Sequence, residues 1–201
     1  IDEEEWRAQT VFDGARPGRT TADMLGGILG APERPFGHAF AHLDDLEAYV
    51  NGVVEVVVRD GAKAEIVNVQ RLSRRSWLFA SCHARVERDA ELDWVEGGFG
   101  SSRGKVWIQN DLADRGATSR VTGAYFADGS QHLDYDTYQL HAAPDTTSDF
   151  AFKGALRDTA ATVWRGMIRV EEGAQKTNAY QENRNLLLSK SAHADSIPGL
   201  E

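Results

Sequence analysis

A spacing constrains this chain more than any motif does. Turn-forming small residues recur at Asp60-Gly61-Ala62, Asp89-Ala90, Arg115-Gly116-Ala117, Asp145-Thr146 and Glu172-Gly173-Ala174. Taking the third position as 62, 90, 117, 146 and 174, the steps are 28, 27, 29 and 28 residues. Strand-like alternation follows each mark, starting at Ala64 and Ile66, Leu92 and Trp94, Val121, Phe150, and Thr177. Further marks stand between them at Asp158-Thr159-Ala160 and Ser191-Ala192. A fixed period of this length signals stacked units, none of which can bury its inner face alone. Several short strands per unit, closed by small residues at the corners, predict an all-β chain folded as a parallel β-helix. A propeller blade needs a longer repeat, and the six-residue aliphatic repeat of a left-handed β-helix is absent.

The residues between the marks agree. Val53, Val54, Val56, Val57 and Val58 form a dense β-branched run, and Asp60-Gly61 closes it. No segment after Asn51 keeps a 3.6-residue period over three turns, and Leu156 to Arg165, with Thr159, Thr162, Val163 and Trp164, suits a strand better than a helix. The start of the chain differs. Ile1 to Trp6 is acidic and Gly14 to Thr21 is loop-like. Asp23 to Leu29 predicts a short helix capped by Thr21 or Asp23 and stopped by Pro32 and Pro35, and Leu43 to Val50 a second, capped by Asp44 or Asp45. The expected division is an irregular, partly helical segment over 1–42 and a β-helix core over 43–201.

Composition removes several function classes. The 201 residues carry a net charge of −9, which disfavours a phosphate-neutralising surface and so a nucleic-acid partner. The hydrophobic fraction of 41% is that of a folded globular chain, and no apolar run is long enough for a membrane span. Cys82 is the only cysteine, so neither a disulfide framework nor a Cys-only zinc or cluster site can form within one chain. With no signal peptide at its start, the expected compartment is the cytoplasm. The start at Ile1 and the stop at Glu201 read as those of a piece, about six coils long, cut from a larger subunit.

The candidate chemical groups are few. His132, Asp134 and Asp136 alternate on one strand face and His141 follows, so His132, Asp134 and His141 are the candidate metal ligands, against the plainer reading of a solvated face opposite Leu133, Tyr135 and Thr137. His38 and His42 have a helical ligand spacing but no third ligand. Gly98 to Val106 (GFGSSRGKV) imitates a phosphate loop, but Phe99 stands at its first glycine position and Val106 replaces the magnesium-binding hydroxyl. Cys82 and His83 are strand neighbours on opposite faces, which leaves the thiol unactivated. Asp93, Glu96, Asp111 and Asp114, with Trp94, Trp107 and Trp164 as a sugar platform, keep open the alternative of a β-helical carbohydrate-active enzyme. Phe152-Lys153-Gly154 and Trp164-Arg165-Gly166 predict bulges or corners.

The second half of the chain carries a resemblance. Gln131 to Thr137 (QHLDYDT), His141 to Ser148 (HAAPDTTS), Phe152 to Leu156 (FKGAL) and Trp164 to Val170 (WRGMIRV) resemble the core of the SufB/SufD family of iron–sulfur cluster scaffold proteins. Gln175 to Ser189 (QKTNAYQENRNLLLS) and Ala194 to Glu201 (ADSIPGLE) look like its SufD branch. The SufB branch usually carries a cysteine near Asn185 and a His-Thr-Phe-Pro before the final strand, and neither is present. The resemblance implies a right-handed parallel β-helix. It implies a non-catalytic scaffold subunit of a SUF-type assembly complex, supporting iron entry and complex integrity. Its partners would be a SufB-like subunit met through a β-helix edge and a SufC-like ATPase met through a C-terminal region beyond Glu201; a homodimer is a further arrangement. The segment expected to hold the branch's functional histidine would also follow Glu201. No catalytic, cofactor or metal residue is therefore carried over, and iron or a cluster is expected only at the intact complex.

Overall fold

The computed structural model describes residues 48–201, with side chains from residue 52 onward. Every regular element among them is a strand: β1 (Ala48–Val58), β2 (Lys63–Gln70), β3 (Ser76–Val86), β4 (Glu91–Gly98), β5 (Arg103–Leu112), β6 (Thr118–Ala127), β7 (His132–His141), β8 (Thr147–Leu156), β9 (Ala161–Val170), β10 (Asn178–Leu187) and β11 (His193–Leu200). Odd strands form one parallel sheet in the order β1-β3-β5-β7-β9-β11, and even strands form the other, β2-β4-β6-β8-β10. Each coil thus contributes one strand to each sheet. The result is a flattened parallel β-solenoid of five full coils plus β11. The expected repeat of several short strands is corrected to two strands of eight to eleven residues. Residues 48–50 open β1, so the helix predicted over Leu43 to Val50 does not form there. The segment 1–42, its predicted helix, and His38 and His42 lie outside the described residues.

The repeat marks lie on one corner. Glu91 N donates to Ala62 O at 2.9 Å, Thr118 N to Ala90 O at 2.9 Å, Thr147 N to Ala117 O at 3.0 Å and Asn178 N to Thr146 O at 2.9 Å. The fifth member of the series is therefore Thr177, not Ala174. The last corner holds three more residues than the sequence marks imply. Before each mark sits a residue in the left-handed region: Gly61, Asp89, Gly116, Asp145 and Lys176. Gly and Asp tolerate that conformation best, and at Gly116 a Cβ would also strike the Asp89 carboxylate of the coil below. Ala160 and Ala192 mark the opposite corner, where His193 N reaches Ala160 O at 3.0 Å.

Alternation along each strand sends one set of side chains into the slot between the sheets. In the middle coils that slot is aromatic. Tyr125 stacks on Tyr135 (5.3 Å), Tyr135 meets Phe152 (5.7 Å) and Phe152 meets Trp164 (6.3 Å), the four coming alternately from the two sheets. Glycines make the room. A Cβ at Gly123 would overlap the Phe152 ring, one at Gly154 the Tyr125 ring, and one at Gly166 the Trp164 ring. The bulges or corners predicted for Phe152-Lys153-Gly154 and Trp164-Arg165-Gly166 are thus absent: both triplets lie mid-strand in unbroken ladders. Their glycines serve ring packing.

Candidate functional site

On the outer face, β7 presents His132, Asp134 and Asp136, as the alternation predicts. The flanking strands supply cations at the same level. Lys105 Nζ lies 3.0 Å from Asp134 and 2.6 Å from Asp136; Arg165 places Nε 2.7 Å from Asp136 and Nη2 3.1 Å from Asp134. Each carboxylate is held between two cations, an arrangement that holds three strands together and leaves the acids committed. Burial, with Arg103 and Lys105 close by, pushes the His132 imidazole below its usual range. Trp107 stacks beside Tyr138 on the same face, with centroids 6.3 Å apart.

His141 ends the same strand but points inward and is fully buried. The structure therefore does not bring it together with His132 and Asp134. Among the described residues no three His, Cys, Asp or Glu side chains gather as a metal-holding group. His141 instead bonds Thr146 Oγ1 through Nδ1 (2.8 Å) and Ser148 Oγ through Nε2 (2.9 Å), and Ser148 donates onward to Gln139. Burial lowers its pKa to about 4, so the ring is neutral near pH 7. With no solvent access, the His141–Ser148 contact is an internal brace between the sheets.

The first two coils hold a different interior group. Cys82 and Glu96 both face inward and are almost wholly buried. Glu96 accepts from Asn68 Nδ2 at 2.9 Å and from Trp94 Nε1 at 3.1 Å. Burial nevertheless outweighs these donors and pushes its pKa up to about 7. Burial, then the charge of Glu96, pushes the Cys82 thiol up to about 12, so it stays protonated. A cavity of about 390 Å³ opens beside them, walled by Val54, Asn68, Leu72, Leu78 and Ala80. Chemically, this group can exchange one proton near neutrality. His83 faces away, as expected, with Nε2 2.8 Å from Asp111.

The remaining candidates disperse. Asp93 faces Arg120 (3.5 Å), Asp111 faces His83, Asp114 faces Arg88 (3.4 Å), and Glu96 is inside. Nothing pairs them across a substrate path. Trp94 and Trp164 are core residues and only Trp107 reaches solvent, 39% exposed, so the sugar platform does not form. In the phosphate-loop look-alike, Gly104, Lys105 and Val106 belong to β5, and Lys105 is spent on Asp134 and Asp136. Of the four candidate carboxylates only Glu96 turns inward. Its parity with Leu92 and Trp94 is the signal that places it inside. The same parity argument, run from Leu133 and Tyr135, reaches Gln139 and His141.

Residues 37–201 match the family model described as "SUF system FeS cluster assembly, SufBD core domain". An iron–sulfur cluster assembly SufBD family protein of Mycobacterium tuberculosis is 34% identical over 155 residues, covering 74% of this chain and 39% of that protein. One from Mycobacterium leprae is 32% identical over 155 residues, covering 74% and 40%. A second M. tuberculosis protein of the same description is 27% identical over 148 residues, covering 74% and 18%. The chain spans about two fifths of the length of the first two relatives. With its solenoid, its inward alternation and this match over most of its length, the chain belongs to the SufBD family of iron–sulfur cluster assembly proteins.

Proposed function

We propose that the chain is the β-helical core of a SufD-like, non-catalytic scaffold subunit in a cytoplasmic SUF-type complex, where it supports iron entry and the integrity of the assembly. Its partners on this reading are a SufB-like subunit, paired edge to edge, and a SufC-like ATPase bound through a region outside this chain. The observation that carries the reading is the state of the one thiol within these 201 residues. Sulfur handling needs an accessible thiolate. Cys82 is buried and held protonated, with its neighbour His83 turned to the opposite face. A core so equipped fits a supporting role beside a partner's sulfur chemistry. Asn185, where the SufB branch usually carries a cysteine, accepts a hydrogen bond from Tyr125 Oη at 2.6 Å.

The test is affinity purification of the natural-length protein from its own cells, with mass spectrometry of what accompanies it. Recovery of SufB-like and SufC-like subunits in stable proportion supports the proposal. Recovery of the protein alone overturns it. Loading the purified complex with labelled persulfide sulfur gives a second readout: label on Cys82 contradicts the assignment, and label on the partner agrees with it.

A further inference from the structure

Most charges on the outer faces of the two sheets are spent within the molecule. Lys105 and Arg165 hold Asp134 and Asp136, Arg120 meets Asp93, and Arg184 meets Glu182. The first two coils of the even-strand sheet are different. There the outer face carries Val67, Val69, Val95 and Phe99, between 38% and 71% exposed. The ladder sets Val67 beside Val95 and Val69 beside Gly97. A Cβ at Gly97 would lie 3.0 Å from the Phe99 ring and 3.2 Å from Val69, so both side chains lean over that glycine and the four form one patch. A contiguous exposed apolar patch marks a surface that associates. Its two ends differ in sign. Glu65 precedes the valines on β2, and Arg71 follows the strand, about 20 Å away. Phe99 N donates to Gln70 O at 3.0 Å, which puts the ring level with Arg71. Glu65 and Arg71 are exposed, and among the described residues neither has an ion-pair partner. Asp93, beside Glu65 in the ladder, is already taken by Arg120.

We propose that a second copy of the chain docks on this patch, face to face, about a two-fold axis. The order acid, apolar, base is its own complement when reversed, and that selects the occupant. With the axis running across the strands midway between Glu65 and Arg71, β2 lies antiparallel over the β2 of the other copy. Each Glu65 then faces the partner's Arg71, and each Val67 the partner's Val69, as an isologous contact requires. Sheets pack face to face with aligned strands about 10 Å apart, close enough for these side chains to interdigitate. Nucleic acid or an anionic membrane would meet uncharged valines on a chain of net charge −9. Four apolar side chains per copy fall short of the roughly 20–30 residues a side of a standard interface, so the dimer is of the transient class. The contact uses a sheet face, whereas the SufB-like partner is assigned to a sheet edge, so the proposal stands independently of the SufD-like reading.

The experiment is sedimentation velocity of the 201-residue chain at concentrations from about 5 to 500 μM. The expected result is a sedimentation coefficient that rises with concentration towards that of a dimer. Val67→Asp, at the most exposed position of the patch, should weaken association about tenfold or more with unchanged circular dichroism. Glu65→Arg and Arg71→Glu each set like charges opposite one another twice per dimer, and each should weaken it about tenfold. An equimolar mixture of those two variants should recover the dimer, because the mixed pair restores both ion pairs. A chain that stays monomeric throughout overturns the proposal. So does a Val67→Asp variant that associates as well as the parent, or a mixture that associates no better than its components.

Discussion

The first two coils and the three that follow share one backbone but fill it differently. From β5 onward the interior holds Tyr125, Tyr135, Phe152 and Trp164, each received by a glycine or another ring. Around β1 to β4 the same slot holds Trp94 among the smaller Val54, Leu78, Ala80 and Cys82, with a cavity and a buried acid left over. Hydrogen-bond ladders set the fold in both regions, while side-chain volume decides whether the slot is full. A solenoid can therefore vary its interior coil by coil without changing its path.

The most severe way to break the contrast is to empty the full region. Phe152→Ala should cost about 3–5 kcal/mol, because ring contacts and burial are lost together while Gly123 cannot fill the gap. Urea unfolding at fixed pH measures it. Substitution of Ala80, beside the existing cavity, should cost far less.

Titration sets the two regions against each other. Glu96 has a folded pKa near 7 against an ordinary 4.5, so the native state binds the extra proton in that window. Its contribution is full below pH 4.5 and is lost as pH rises towards 7, on the order of 3 kcal/mol. His141 runs the other way: its folded pKa near 4 lies below the ordinary 6.5, so its contribution is lost as pH falls from 6.5 towards 4. In the intact protein the two slopes offset each other between pH 4.5 and 6.5. Glu96→Gln should expose the His141 slope, making stability rise with pH across that interval. Chemical denaturation at pH 4.5, 5.5 and 6.5 checks it, and a flat Glu96→Gln profile would contradict the assignment.

Overfilling the tight region comes next. Gly154→Ala places a methyl group against the Tyr125 ring and Asn185, and should cost about 1–3 kcal/mol in thermal or urea unfolding. The smallest effect belongs to the loose region. Ala80→Val adds volume beside the cavity and should be neutral or stabilising by less than about 1 kcal/mol. A loss comparable to that of Gly154→Ala would show that the two interiors are equally tight.

Much of this was legible in the sequence, and the failures have physical reasons. The corner marks at Ala62, Ala90, Ala117 and Thr146 were readable because a left-handed turn residue selects Gly or Asp before them. The fifth was misplaced because Gly173 imitates that signal three residues early, while Lys176 adopts the turn without advertising it. The outward face of β7 followed from alternation, as did the separation of Cys82 from His83. His141 was grouped with His132 and Asp134 by nearness in sequence, whereas its parity with Leu133 and Tyr135 turns it inward. The glycines at 154 and 166 were read as backbone devices because their partners, rings on neighbouring coils, lie far away in sequence. Side-chain size across a ladder carries no local signal.

The last corner has a practical consequence. Between β9 and β10 the chain takes three more residues than the marks allot, yet Asn178 still meets Thr146 at 2.9 Å and both ladders stay aligned. Chain length is a free variable at that corner and a fixed quantity within the strands. Foreign sequence such as an epitope tag or a labelling site belongs between Glu172 and Gly173, both exposed, ahead of the buried Ala174 and of Gln175, whose carbonyl accepts from Asp145 N at 2.9 Å.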